Sequence, residues 1–337
     1  MSLMDVEARK ERIMRKVIAL AAAALLMTLG TASVARAGAP DPQLLRTYQP
    51  VTHFDPQEAF GPTAVQSFIG DSALEQLIGG HWVVVDSDPG PGGLPENGTF
   101  RLNQTPCSPS ASIGGLGCYR TSWDAWDGGS VVYGRVAHLP DATVLQYWYF
   151  YYDDVYSYQY PPSDFIWQAH EGDWEVVNVV LSTDGDPVET AYSQHCLGQQ
   201  RAWAETPRWR ETHPIVYVAL GSHANYFAPG PHQLNTRCIP PQALFLLSQA
   251  GLPLPVDYAF PGGGTAGPPQ SANDVTTIHN ADPHSQAWVR FPGLWGEQQW
   301  FHASFFGTVP LGDSPVGPAY HDVWQAPLAT IASWPLG

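Results

Sequence analysis

Two neighbouring stretches near the middle of the chain carry the pattern of long, buried β-strands. The first, 145–154, is almost wholly aromatic before it ends in two aspartates, and the second, 174–181, is rich in valine. Strands with apolar residues on both faces lie at the centre of a sheet. Side chains alternate along a strand, so each face is defined by every second residue. The residues predicted to share a face are Tyr147, Tyr149, Tyr151 and Asp153 on the first strand, and Asp173, Glu175, Val177 and Val179 on the second.

The rest of the chain alternates short strand patterns with turns rich in its 32 glycines and 32 prolines. Apolar residues at helical spacing predict a helix over 63–78, with Thr63 as its N-cap, and another over 240–250. Few helices among many short strands predict a mainly β fold, a β-sandwich or jelly-roll-like single domain over 63–337 with a few short peripheral helices. The further predicted strands are 81–86, 130–138, 189–195 and 213–220, and 253–273 is predicted to be a loop.

The first 37 residues have the organisation of a signal peptide. A basic stretch precedes an apolar stretch of thirteen residues, 17–29, and Ala35-Arg36-Ala37 has the form of a cleavage site. We therefore expect a secreted protein that has no transmembrane segment after signal removal, because no later apolar run is long enough to span a bilayer. Residues 38–62 are proline-rich and are predicted to form an extended N-terminal arm.

The net charge indicates which partners to expect, and the cysteine content indicates disulfides. The formal net charge is −16 at pH 7, which disfavours nucleic acid as a partner and favours divalent cations or neutral ligands. An even number of cysteines in an exported chain predicts disulfides. Neighbours along the sequence pair as Cys107–Cys118 and Cys196–Cys238.

The two predicted central strands bring acidic residues together where the second one begins. Asp153, Asp173 and Glu175 are expected to meet there, with His170 in the connecting loop. Buried carboxylates need a partner or a cation, and three oxygen ligands with one imidazole suit Mg²⁺, Ca²⁺ or Mn²⁺ better than Zn²⁺. The alternative is a hydrogen-bonded turn in which Glu175 faces solvent. The apolar run after Glu175 favours the metal site.

These residues resemble two families. Trp-Tyr-Phe-Tyr-Tyr-Asp at 148–153 and His-Glu-Gly-Asp-Trp-Glu at 170–175 are similar to the core of the necrosis- and ethylene-inducing proteins, secreted cytolysins with a cation on a β-sandwich. That resemblance implies cation ligands at Asp153, His170, Asp173 and Glu175, and at His195 through Ser193-Gln-His195. A longer stretch, about 130–325, resembles the vacuolar protein sorting-associated protein 62 family, through the 170–175 motif, 192–195 and 218–227.

The sequence leaves several functions open. The preferred one is a secreted, divalent-cation-binding protein that binds a surface glycan or lipid headgroup, with His195 or His223 beside the cation. The alternative is a metal-dependent extracellular hydrolase of phosphoesters or glycans, with His195 or Glu171 as the base. A third is a structural domain whose polar cluster holds a turn and binds no metal. The sequence does not indicate the oligomeric state.

Overall fold

The structure is a computed structural model that describes residues 41–55, 58, 61–104, 131–160, 163–239, 241–251, 253–259, 275–277, 286–297, 299–303 and 307–337. The predicted signal peptide and the predicted Cys107–Cys118 pair lie outside these residues. No helix within the described ranges has the length and apolar character needed to cross a membrane.

The described part of the chain is mainly β. Short 3₁₀ turns occur at Trp203–Glu205, Thr236–Cys238, Ala287–Arg290 and Pro318–Tyr320. In chain order the other elements are α1 (Asp41–Thr47), β1 (Val51–His53), α2 (Val65–Gly70), β2 (Ser72–Ile78), β3 (His81–Asp86), β4 (Phe100–Gln104), β5 (Val132–His138), β6 (Thr143–Tyr160), β7 (Ser163–Leu181), β8 (Pro187–Gln194), β9 (Leu197–Ala202), β10 (Arg208–Trp209), β11 (His213–Val218), β12 (Asn225–Tyr226), β13 (Gly230–Gln233), α3 (Pro241–Ala250), β14 (Val256–Ala259), β15 (Val275–Thr277), β16 (Gln299–Ala303), β17 (Gly307–Gly312), α4 (Asp322–Gln325) and α5 (Pro327–Ser333).

A six-stranded sheet in the order β15-β5-β6-β7-β8-β9 forms the centre of the molecule. Its two longest strands, β6 and β7, pair antiparallel with Tyr151 opposite Asp173. The prediction of two adjacent central strands is confirmed. The strands are longer than predicted, however, so His170 lies within β7 and not in a connecting loop.

The two faces of the central sheet bury two separate cores, as side-chain alternation predicts. On one face, residues such as Tyr149 and Val177 pack against Val216 and Val218 of β11. Strand β11 belongs to a second sheet with β1, β10 and β12, so two sheets pack face to face as in a β-sandwich.

The opposite face of the central sheet is covered by helices and by the C-terminal segment. The residues of this core include Phe68, Leu102, Trp148, Phe150, Trp174, Trp288 and Trp295. Aromatic rings contact one another within this core; Trp174 and Trp288, for example, stack at 5.8 Å between ring centroids. The C-terminal aromatic segment packs over this face through Trp288, Trp295 and Trp334.

The N-terminal segment differs from two predictions. Residues 41–47 form helix α1 and 51–53 form strand β1, which pairs parallel with β11, whereas the sequence predicts an extended arm. Leu45 and Tyr48 are almost fully buried, because they fill the core beneath β11. The predicted helix over 63–78 ends at Gly70, and the remainder is strand β2, which pairs with both β3 and β4. Sheet pairing overrides the helical spacing of the apolar residues.

The other predictions are mostly confirmed. Strands occur at or near 81–86, 130–138, 189–195 and 213–220, and helix α3 lies within 240–250. The predicted loop over 253–273 contains strand β14, which pairs with β13. The predicted disulfide between Cys196 and Cys238 is present.

Candidate metal centre

A cavity of about 250 Å³ opens at the edge of the central sheet, where β7 extends beyond β8. Strand β8 pairs with β7 only from Val177 onwards, so the preceding part of β7 has no β8 neighbour. This arrangement exposes polar side chains of an otherwise buried strand to a partly enclosed space. The polar residues that line the cavity are His170, Asp173 and Glu175 of β7, Asp154 of β6, and His195, Ser222, Asp313 and His321 from other segments.

Asp154, His170 and Asp173 form the centre of this site. One potential ligand atom from each lies within 4.8 Å of the other two, and all three residues are buried. His170 Nδ1 donates to the Gly172 carbonyl at 2.8 Å, which directs Nε2 towards Asp154 Oδ2 at 3.3 Å. Asp154 Oδ1 is buried without a hydrogen-bond partner among the described residues. Two carboxylates and one imidazole with an unsatisfied buried oxygen are a suitable ligand set for a divalent cation.

The structure places Asp154, and not the predicted Asp153, in this group. Along the β6–β7 pairing, Tyr151 lies opposite Asp173 and Asp153 lies opposite Glu171. The β7 residue between these two pairs, Gly172, has a φ of +61°. A residue in the left-handed region interrupts the regular alternation of a strand. Asp153 is fully buried opposite Glu171 and is not one of the three clustered ligands.

His223, in the turn between β11 and β12 of the second sheet, contacts Asp173 of β7. Its Nδ1 lies 3.0 Å from Asp173 Oδ2, its Nε2 lies 3.6 Å from Glu58 Oε1, and its ring stacks on Tyr151 at 3.9 Å. Burial alone would lower the pKa of His223, but the negative charges of Glu58 and Asp173 and the hydrogen bond to Asp173 outweigh burial and raise this pKa to about 10. A protonated His223 therefore orients and compensates Asp173. Its backbone φ of +54° is unusual for a residue other than glycine.

Glu175 lies beside Asp173 on the same face of β7, as predicted. Its Oε2 accepts hydrogen bonds from the Ser193 hydroxyl and, at 3.2 Å, from the Asn225 amide. Burial and the charge of Asp173 raise the pKa of Glu175 well above its ordinary value. It is buried and does not face solvent, which contradicts the simple surface-turn alternative. It borders the three-residue cluster but does not belong to it.

His195 lies farther along the cavity wall and is held by a different carboxylate. Its Nε2 is 2.7 Å from Asp257 Oδ2, and Asp257 also accepts hydrogen bonds from the hydroxyls of Ser222 and Tyr226. Burial lowers the pKa of His195, but the Asp257 charge and hydrogen bond raise it above its ordinary value. His195 does not belong to the three-residue cluster, so the structure separates it from His170 and Asp173.

Glu171 faces away from the cavity. Its Oε2 accepts hydrogen bonds from the backbone N–H groups of Gln104, at 3.2 Å, and of Glu297, at 2.9 Å. It is fully buried and ties β7 to β4 and to the C-terminal segment. This position gives it a structural role and removes it as a base for chemistry in the cavity.

Buried negative charge is concentrated around the cluster, with histidines as its counterions. Burial lowers the pKa of His170, but the charge of Asp154 and their hydrogen bond raise it to about 9. Burial raises the pKa of Asp154, only partly offset by His170. Buried carboxylates of this kind are stable only when protons, hydrogen bonds or a cation compensate them.

Some of the residues that the sequence predicts to meet do lie together in the structure. His170, Asp173 and Glu175 come together as predicted, and His223 joins them through Asp173. The residues that sequence reasoning missed are Asp154, Glu58, Asn225 and Asp257. Asp154 is the one missed residue that the sequence could have indicated, because it directly follows Asp153 and the next strand contains a glycine. The other three come from distant segments.

Comparisons with known proteins give partial likenesses only. No family model matches the sequence, and no curated protein matches it. The solved structure of necrosis and ethylene inducing protein 2, from the causal agent of cocoa's witches broom disease, is 18% identical over 54% of this chain and 62% of that chain, with a TM-score of 0.28. A structure described as a toxin fold for microbial attack and plant defence is 16% identical over 53% of this chain and 62% of that one, with a TM-score of 0.31.

A third structure, NLPPya in complex with glucosamine, is 12% identical over 56% of this chain and 66% of that chain, with a TM-score of 0.30. This chain thus spans less than two thirds of the length of the first two. The first of these structures has the name of the family that the core motif resembles. At these scores the likenesses carry no argument about function, and none of them concerns the vacuolar sorting family.

Proposed function

We propose that this chain is a secreted, divalent-cation-binding β-sandwich protein that binds a surface glycan or lipid headgroup. Asp154, His170 and Asp173 are the cation ligands, and Glu175 borders them. The observation that carries the proposal is the cluster of three buried ligand atoms within 4.8 Å of one another at an open cavity. The buried Asp154 Oδ1, which lacks a hydrogen-bond partner in the described part of the chain, supports a ligand there.

The chemistry of the ligand set favours Ca²⁺, Mg²⁺ or Mn²⁺ over Zn²⁺. Two of the three ligands are carboxylates, which hard cations prefer, and the cysteines nearest to the cavity, Cys196 and Cys238, are joined in a disulfide and so cannot bind as thiolates. A bound cation would supply positive charge in a cavity that is otherwise acidic. Hydroxyl or phosphate oxygens of a glycan or headgroup would then complete its coordination.

Isothermal titration calorimetry with each of the four cations tests the site. We expect the wild type to bind one or more of them, and Asp154→Asn to lower the affinity at least about tenfold, which corresponds to 1.4 kcal/mol. Asp153→Asn is the matched control, because it changes the adjacent buried aspartate and should leave cation affinity unchanged. Circular dichroism establishes that both variants are folded.

The two variants also separate the possible outcomes. Loss of binding in Asp153→Asn alone would favour the ligand set predicted from the sequence. Equal binding by all three proteins would refute the site. If the site is present, a glycan array and vesicles with different headgroups, each measured with the cation and with chelator, identify the surface ligand through its dependence on the cation.

A second candidate function, a cation-dependent hydrolase, rests on His195. Its Nε2 is held by Asp257, while its Nδ1 has no hydrogen-bond partner within the described residues, and His195 lines the same cavity as the cluster. A histidine oriented by a carboxylate is a suitable general base for activating water above its raised pKa, where the imidazole is neutral. Turnover of chromogenic phosphodiesters and glycosides that is lost in His195→Gln, while cation affinity is retained, would support this function.

A further inference from the structure

Strand β3 combines an open edge with unusual apolar exposure. It pairs with β2 on one side and is the end strand of the sheet β3-β2-β4, so no described strand pairs with its other side. Val83, Val84 and Val85 are 43%, 53% and 47% exposed. Successive residues of a strand point to opposite faces, so the exposure is not confined to one side of the sheet.

The whole β2–β3 turn region is free of charged residues. Between Glu75 and Asp86 the chain contains no Asp, Glu, Lys or Arg, and Leu77 and Ile78 are also about half exposed. Edge strands usually carry charges or prolines that prevent pairing with another chain. Strand β3 has one charged residue, Asp86 at its end, and one bulge, in which Val85 is the extra residue; its central residues include neither charge nor proline.

We propose that β3 is the interface of a homodimer, in which two copies pair antiparallel through their open β3 edges. Each copy has a net charge of −16, so two copies repel one another across most of their surface. The charge-free stretch is where they approach without placing carboxylates against carboxylates. Pairing also satisfies the unpaired backbone groups of both edges and buries the valines.

The pairing has a self-complementary register. A two-fold axis perpendicular to the sheet, centred on Val83, sets Val83 opposite itself and Trp82 opposite Val84 of the second copy. His81 then lies opposite the bulged end of the other strand, where Asp86 follows Val85. The imidazole of each copy is thereby placed next to a carboxylate of the other, once at each end of the interface.

Sedimentation analysis of the full chain tests the proposal. We expect the wild type to have twice the monomer mass at high concentration and to dissociate on dilution over a roughly hundredfold range. Val84→Lys should remain monomeric throughout. Val188→Lys is the matched control, since Val188 is 48% exposed on β8, a strand that is paired on both sides, and it should form the dimer as the wild type does.

A cysteine variant tests the register independently of any loss of stability. Directly opposite residues in an antiparallel pair have Cα atoms about 4.5–5.5 Å apart, within the range of a disulfide. Val83→Cys should therefore form a covalent dimer under oxidising conditions, and Val188→Cys should not. A wild type that is monomeric at every concentration, or equal cross-linking of both cysteine variants, would overturn the proposal. Monomers that bind zwitterionic vesicles through β3 would also overturn it and assign the strand to a lipid surface.

Discussion

Asp154 and His170 face each other across the β6–β7 ladder, with His170 Nε2 3.3 Å from Asp154 Oδ2. The second nitrogen of the same ring is held by the Gly172 carbonyl, so the orientation of the imidazole is set by its own strand. The pair is buried, yet it lies where the sheet edge opens into a cavity. A buried carboxylate and an oriented imidazole that border a cavity have the arrangement expected of a cation site.

Removal of the cation should destabilise the protein. A cation that binds only the folded state adds about 2.7 kcal/mol to the free energy of unfolding at 100 times its dissociation constant. We expect the melting temperature to fall on treatment with EDTA and to recover on addition of the bound cation. Thermal unfolding of Asp154→Asn should show neither change, whereas Asp153→Asn should respond as the wild type does. A melting temperature that no cation alters would contradict the site.

Gly172 should be essential for the geometry of the cluster. A Cβ atom at this position would lie 2.0 Å from the Trp295 carbonyl oxygen, in a backbone conformation with φ of +61°. Gly251 has a similar φ of +64°, but a Cβ atom there would have nothing within 4 Å. Gly251→Ala should therefore cost only about 1–2 kcal/mol from the left-handed conformation. Gly172→Ala should cost about 1–3 kcal/mol more, because the clash forces backbone to move.

Urea denaturation of the two alanine variants measures this difference directly. The Gly172→Ala variant should also lose cation affinity, because Gly172 accepts the hydrogen bond that orients His170 and lies between Glu171 and Asp173. The Gly251→Ala variant should keep it. Equal losses of stability in both variants would show that the contact with Trp295 is easily relieved.

Side-chain alternation predicted the central sheet well but placed Asp153 in a cluster to which it does not belong. It placed Tyr149 and Val177 on one face, and both lie in the same core, because the two strands are regular there. Alternation misplaced Asp153, because it assumes uninterrupted strands and Gly172 interrupts the neighbouring strand β7. A glycine inside a strand pattern is the sequence signal for such an irregularity.

Residues recruited from distant segments had no comparable signal. Asn225 contacts Glu175 across 50 residues of sequence, and Asp257 contacts His195 across 62. Such contacts depend on how strands β12 and β14 pack against the central sheet, which residue spacing does not encode. The helix predicted over 63–78 failed for a related reason: apolar spacing in 72–78 suits a helix, but pairing with β3 and β4 determines the structure.

The Cys196–Cys238 disulfide should contribute substantially to stability. It joins residues 42 positions apart and so restricts a long loop of the unfolded chain. The chain-entropy model gives about 4 kcal/mol for a loop of this length. The double variant Cys196→Ser, Cys238→Ser should lose about that amount in urea denaturation. Its cation affinity should be unchanged while it is folded, because neither cysteine belongs to the ligand cluster; a loss of affinity would place the disulfide among the supports of the site.

The buried pair of His195 and Asp257 should give stability a defined pH dependence. Burial alone would raise the pKa of Asp257. The charge and hydrogen bond of His195, together with the hydrogen bonds from the Tyr226 and Ser222 hydroxyls, outweigh burial, so the pKa of Asp257 is lowered. The His195 pKa is raised, as described above. The Asp257 contribution is present above 3.8 and is lost as the pH falls through its lowered folded value. The His195 contribution is complete below 6.5 and is lost as the pH rises through its raised folded value.

The stabilisation from this pair is therefore greatest between pH 3.8 and 6.5. In that window His195→Gln should lower the free energy of unfolding by about 3 kcal/mol, the lower end for breaking a buried ion pair, since two hydroxyls still donate to Asp257. The difference between wild type and variant should shrink above the raised pKa of His195, where the imidazole is neutral, and below the lowered pKa of Asp257. Urea denaturation of both proteins across this pH range measures it. A difference that does not vary with pH would mean that His195 acts through packing alone and carries no charge in the folded protein.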